Sequence, residues 1–250
     1  MTGEIAARLR RLTPARVGLG RVGPGQSTAD VLAFAMAHAK ARDAVHEALD
    51  VDALISAVEA LGHRLLRVTS AAPDRRTYLL RPDLGRTLAS DAALSADAAG
   101  DLAIVLADGL SARAVQTNAV PLLSALIPRL EGLRLAPVVI ATQARVALGD
   151  EIGRRLCARA VLVLIGERPG LSSPDSLGAY LTFDPSPGRT DAARNCVSNI
   201  RPEGLSYDEA AFKLAWLIRE AMRLGLTGIG LKDDSDTVRL PREEGRAPLP

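Results

Sequence analysis

The sequence predicts an α/β protein: a small N-terminal helical domain, then a three-layer α/β/α domain with a mainly parallel sheet. Three observations carry this. Apolar runs such as AVLVLI at 160–165 have no polar break, as expected of strands buried on both faces. These runs alternate with helical patterns, which brings successive strands into one parallel sheet. Residues 29–61, by contrast, show helical periodicity alone.

The elements follow in order. Residues 13–28, TPARVGLGRVGPGQST, carry Gly18, Gly20, Gly23, Gly25, Pro14 and Pro24 and read as a loop or extended arm. GLGRVG at 18–23 matches the dinucleotide fingerprint, but no convincing strand leads into it and Pro24-Gly25 follow where a helix should open. Ser27, with Asp30 three residues on, predicts a capped helix over 29–49, striped by Val31, Leu32, Ala35, Met36, Ala39 and Val45. A second helix, 51–61, should end at Gly62.

RLLRVTSAA (64–72) reads as the first strand, followed by the polar stretch PDRRTYLLRPDLGRTL. DLAIVLADGL (101–110), APVVIATQ (136–143) and AVLVLIGER (160–168) are predicted strands. Between them lie helices over 111–130, with Pro121 as a kink or restart, and over 145–158. SLGAYLTFDP (176–185) alternates as a strand at the sheet edge. Residues 188–206 read as irregular, and 206–226 as an amphipathic helix opened by Ser206 and Glu209. The expected organisation is an arm and helical domain at 1–62, a Rossmann-like domain at 63–232 and a disordered tail at 233–250.

Composition excludes several functions. Hydrophobic residues are 48% of the 250, enough for a core, while aromatics are 3%, too few for base-stacking platforms. A net charge of +2 offers no electrostatic footprint for nucleic acid or an anionic membrane. Two cysteines form no disulfide framework, and with three scattered histidines they offer no metal-ligand spacing. No run of eighteen apolar residues occurs, so a membrane span is not expected. Gly109-Leu-Ser-Ala-Arg113 departs from the G-x-S-x-G nucleophile elbow, and all three histidines lie N-terminal to the strand region, so no serine triad emerges.

Ligands of open parallel sheets bind at the carboxyl ends of the strands. Three segments end there: Asp108–Ser111, Gln143–Val146 and Gly166–Pro169. The last delivers the charged pair Glu167-Arg168 and a rigid turn to the binding edge; an ordinary surface pair is the alternative. Cys196 has Arg194 nearby, which could lower its pKa, or it is a buried structural thiol.

Several long blocks, in order, resemble the ethanolamine ammonia-lyase small subunit: ARVGLGRVG, RDAV, YLLRPDLGR, ADGLSARAV, RVALGDEIG, LIGERPGLSSPDSLGAYLTF, RNCVSNIRPEGL and TGIGLKD, spanning residues 15 to about 234. Some members of that family carry a longer segment before the block at Ala15. The resemblance implies an adenosylcobalamin-dependent lyase converting ethanolamine to acetaldehyde and ammonia by radical chemistry. Substrate and most of the chemistry would belong to a large (β/α)8-barrel subunit, in an assembly of six large and six small subunits. It implies a cytoplasmic protein, or one within a bacterial microcompartment. On this chain it implies no catalytic residue and no metal ligand, but cobalamin contacts at Val146, Glu167 and Cys196. The absence of D-x-H-x-x-G fits a cofactor that keeps its own base.

Overall fold

Leu102–Ala107, Val138–Thr142 and Ala160–Gly166 are apolar at almost every position, so neither face of such a strand can rest against water. The computed structural model, which describes residues 3–13, 15–94 and 99–239, sets these runs side by side in the middle of a six-stranded sheet. In chain order the strands and helices are α1 (Gly3–Leu12), the hairpin β1 (Arg21–Val22) and β2 (Gly25–Gln26), α2 (Thr28–His46), α3 (Val51–Glu59), β3 (Leu65–Thr69), α4 (Arg75–Leu80), β4 (Leu102–Ala107), α5 (Ala112–Leu126), β5 (Val138–Thr142), α6 (Leu148–Arg155), β6 (Ala160–Gly166), β7 (Leu177–Phe183), β8 (Asn195–Ile200), α7 (Tyr207–Leu224) and α8 (Ser235–Arg239).

The sheet order is β3-β5-β4-β6-β7-β8. β3, β5, β4 and β6 are parallel; β7 and β8 run antiparallel to their neighbours. The sheet is therefore mixed, though mostly parallel. Alternate residues divide the core in two. Leu102, Ile104 and Leu106 pack with α5, with Leu214 and Ile218 of α7, and with Val51, Leu54 and Val58 of α3. Ala103, Val105 and Ala107 face the other way, against Leu148 and Ile152 of α6. α5 and α6 thus lie on opposite faces. α3 shares the first core although it precedes residue 63.

The capping signals are realised. Ser27 Oγ accepts from Asp30 N–H at 3.2 Å and donates to the Asp30 carboxylate at 2.7 Å. Ser206 Oγ donates to Glu209 at 2.8 Å. Gly62 takes the left-handed conformation, φ +83, after α3. α5 runs unbroken through Pro121.

Several expectations are corrected. β7 is not an edge: β8, within the stretch read as irregular, pairs along its far side. β8 alternates poorly because it carries a bulge. Ala179 pairs with Val197 and Leu177 with Ile200, so Ser198 and Asn199 together oppose Gly178 alone, and Asn199 sits at φ +57. Of the tail read as disordered, residues 240–250 lie outside the described residues, but 233–239 include α8. Ser235 is buried, and Lys213 reaches Asp236 at 2.9 Å and Asp233 at 3.4 Å. The predicted stripe on α2 meets no core of this chain: Val31, Leu32 and Met36 are exposed, as is Phe34, and Ala44 alone of this helix is buried.

Candidate functional site

The carboxyl ends of β4, β5 and β6 converge as the strand pattern requires. Asp108, just past β4, turns its carboxylate toward the exit of β5, where Gln143 and Ala144 N–H donate to it at 2.8 and 2.9 Å. Arg75 approaches it at 3.5 Å. Burial pushes the Asp108 carboxyl above its ordinary range, while these bonds pull it down. They also hold Gln143 at φ +54, a conformation that costs a non-glycine residue about 1–3 kcal/mol. Asp108 therefore closes the crevice between β4 and β5, and the open ground lies beside β6.

Two glycines make that ground possible. A Cβ on Gly109 would stand 2.2 Å from the Gly166 carbonyl oxygen, and one on Gly166 would stand 2.0 Å from the Ser111 carbonyl oxygen. The exits of β4 and β6 lie flat on each other because neither carries a side chain. Beside them is a cavity of about 430 Å³ lined by Tyr78, Arg145, Val146, Glu167 and Tyr180 among others.

Glu167 is half-buried at the end of β6. It does not pair with Arg168, which is exposed; no ion pair joins them among the described residues. Instead Ser176 Oγ donates to Glu167 Oε2, and Asn199 N–H donates to the same oxygen at 3.3 Å. The carboxylate thus ties β6 to the loop before β7 and to the bulge in β8. Both bonds fall on Oε2. Oε1 accepts none among the described residues.

Val146 does not open a helix as expected; it lies in the turn two residues before α6. Its carbonyl accepts from Gly149 N–H at 3.0 Å, and its own N–H finds no acceptor among the described residues. The structure thus sets Val146 and Glu167 on one cavity wall. Cys196 is not on that wall. It lies one strand further out, cross-strand partner of Tyr180, whose side chain is on the wall.

Cys196 is exposed rather than buried. Arg194 does not lower its pKa. Burial around the sulfur pushes the thiol up and the Glu167 charge adds to this, against the Tyr180 hydroxyl. It presents a neutral, polarizable surface. Arg194 is otherwise engaged. Its guanidinium bonds Asp150 of α6 at 2.6 and 2.7 Å, Thr182 Oγ1 of β7 at 2.9 Å and the Arg189 carbonyl at 3.0 Å.

The polar stretch before β4, without an assigned element in the sequence, completes the wall. Asp74 caps α4, and Tyr78 is wholly buried, its hydroxyl donating to the Ala144 carbonyl at 3.1 Å. Burial pushes that phenol up to about 12. The guanidinium carbons of Arg75 and Arg145 stand 4.7 and 4.3 Å from its ring centroid. No period marks this segment; an aromatic between arginines in a chain so poor in aromatics is the one signal it offers. A second cavity of about 600 Å³ adjoins the first, with Arg145 and Val146 lining both.

Neutral hydrogen-bonding groups, an apolar floor and cationic walls suit a large ligand with amide groups better than they suit nucleophilic chemistry. Among the described residues no group of three His, Cys, Asp or Glu side chains could hold a metal, and no helix is long and apolar enough to cross a membrane.

Residues 4–232 match the family model of the ethanolamine ammonia-lyase light chain (EutC). The chain is 57% identical over 242 residues to the ethanolamine ammonia-lyase small subunit of Azotobacter vinelandii, covering 93% of this chain and 90% of the relative. It is 56% identical over 239 residues to the same subunit of Xanthomonas campestris pv. campestris, with 92% and 88% covered. The Bradyrhizobium diazoefficiens subunit is 55% identical over 244 residues, with 95% and 93% covered.

Proposed function

The chain belongs to the ethanolamine ammonia-lyase light-chain family, and we propose that it supplies one wall of the adenosylcobalamin site of that lyase, using Val146, Glu167 and Cys196. The other wall, and the site for ethanolamine, belong to a large subunit, in an assembly of six copies of each. Residues 63–232 bind the cofactor; before residue 62, α3 belongs to the sheet's core, and the exposed α2 serves assembly.

The observation that carries this is a matched pair of free groups on one cavity wall. Among the described residues Val146 N–H is a donor without an acceptor, and Glu167 Oε1 is an acceptor without a donor. Primary amides, which rim a corrin ring, need one of each. The half-buried Tyr180 and the exposed Cys196 offer a neutral seat beside them. Neither cavity, at about 430 and 600 Å³, could enclose a corrinoid, which supports a cofactor shared between two chains. When bound, the cofactor supplies a homolysable cobalt–carbon bond, the source of the radical that starts the conversion of ethanolamine. This chain's residues orient the ring and keep water from one side of it; none holds substrate.

The test is a titration of cobalamin into the assembled large–small complex. Glu167→Ala should weaken binding roughly 10- to 150-fold, the worth of a charged hydrogen bond of about 1.5–3 kcal/mol. Glu167→Gln should lose less, since an amide oxygen still accepts. Equal affinity for wild type and Glu167→Ala would remove Glu167 from the site.

A further inference from the structure

Arg145 stands where the two cavities meet. Its Nε is buried with no acceptor among the described residues, and Nη2 makes a long bond to the Tyr78 carbonyl at 3.3 Å. Arg75, the other cation against the Tyr78 ring, has the Asp108 carboxylate. Arg145 has no carboxylate partner among the described residues, and neither has Arg86 on the wall of the larger cavity. The remaining charges there are matched: Arg189 with Asp184, Arg194 with Asp150 and Asp191, and Glu151 with Arg155.

An unpaired, partly desolvated guanidinium is expensive unless something answers it. Nor is Arg145 placed to swing away. Its N–H donates to the Gly85 carbonyl at 2.8 Å, and its stem lies so close to Gly85 that an added Cβ would come within 2.9 Å of Cγ. With the guanidinium stacked on Tyr78, the side chain is fixed in the lining of the larger cavity. A cation held rigidly, with no carboxylate partner among the described residues, and lining with a second such cation, Arg86, a cavity of about 600 Å³, is matched to an anion with several oxygen acceptors.

A corrin ring carries neutral amides, and its nucleotide tail carries one anionic phosphodiester. Resting on the cobalamin reading above, we propose that the larger cavity receives this phosphodiester, with Arg145 and Arg86 as its donors, while the smaller cavity takes the ring edge at Val146 and Glu167. Arg145, bordering both, positions the tail relative to the ring.

Equilibrium dialysis of the assembled large–small complex against two corrinoids tests this without turnover. Cyanocobalamin carries the phosphodiester; cobinamide ends before it. Arg86→Ala should weaken cyanocobalamin about 10-fold or more while leaving cobinamide within about 2-fold of wild type; Arg145→Ala, which borders the ring cavity as well, should weaken cyanocobalamin about 10-fold more than it weakens cobinamide. Arg145→Lys, which keeps the charge and loses the fork, should fall between. Retained cobinamide binding shows that the ring site is intact, and Arg86, being exposed, can be removed with little risk to folding. Unchanged cyanocobalamin affinity in both alanine variants, or equal losses for the two corrinoids, would overturn the phosphodiester site and leave the ring site standing. A wild-type complex that binds neither corrinoid would overturn the cobalamin reading and this site with it.

Discussion

Arg194→Met should unfold the chain far more readily than any surface arginine change. The Arg194 and Asp150 side chains are 2% and 1% exposed and joined by two short bonds, with Thr182 and the Arg189 carbonyl completing the donor set. Removing the cation leaves Asp150 charged and buried, which costs about 3–5 kcal/mol. With a urea slope of about 3 kcal/mol per M, the unfolding midpoint should fall by roughly 1–1.7 M. The double variant Arg194→Met/Asp150→Leu should recover most of that loss, because replacing a whole buried pair by apolar groups is often neutral. The pair also staples the segment leading into β8 to α6, so Val146 and Cys196 should lose their fixed spacing in the single variant. A single variant within about 1 kcal/mol of wild type, or a double variant no better than the single, would refute the reasoning.

Gly166→Ala should also destabilise, by about 2 kcal/mol or more, since its Cβ would meet the Ser111 carbonyl at 2.0 Å; chemical denaturation of the full chain measures this, and wild-type stability would show that the two strand exits can part cheaply. Cys196 has a raised thiol pKa, so at pH 8 it carries less thiolate than an ordinary cysteine. Its alkylation by iodoacetamide should be slower than that of a free thiol there and keep rising to higher pH; mass spectrometry of the labelled chain follows it, and faster reaction at pH 8 would contradict the environment described.

The buried strands were legible because two covered faces demand unbroken apolar runs, and Glu167 was legible as the charge that ends one. β8 was not. Its inward residues, Val197 and Ile200, are three apart because of the bulge at Asn199, and its outward residues, Cys196 and Ser198, meet no helix. A period of two is absent from such a strand. The wall built from Tyr78, Gly85 and Arg145 was equally hidden. α4 is six residues long, too short for a period to register, and Arg145 meets Tyr78 through stacking across 67 positions of chain. α2 was legible as a capped helix, but the stripe read on it was not realised: Val31, Leu32 and Met36 are exposed and only Ala44 is buried.

The strand order also sets a timetable for synthesis. Among the named strands β3 pairs only with β5, Leu65 opposite Val138. Apart from its last residue, Thr69, which accepts from Ala89 N–H at 3.1 Å, its hydrogen-bonding edge therefore has no native partner until about 70 further residues have left the ribosome, on the order of 4–15 s at ordinary elongation rates. β4 emerges in that interval but takes the place beyond β5, not beside β3. A β3–β4 pairing formed early would exclude β5 from its slot between them. Fast codons across residues 70–142 would shorten the exposure, and a pause placed after β4 would lengthen it, so the yield of assembled protein should respond to translation speed over that window more than over the β6–β8 region, where each strand's next partner follows within a few tens of residues.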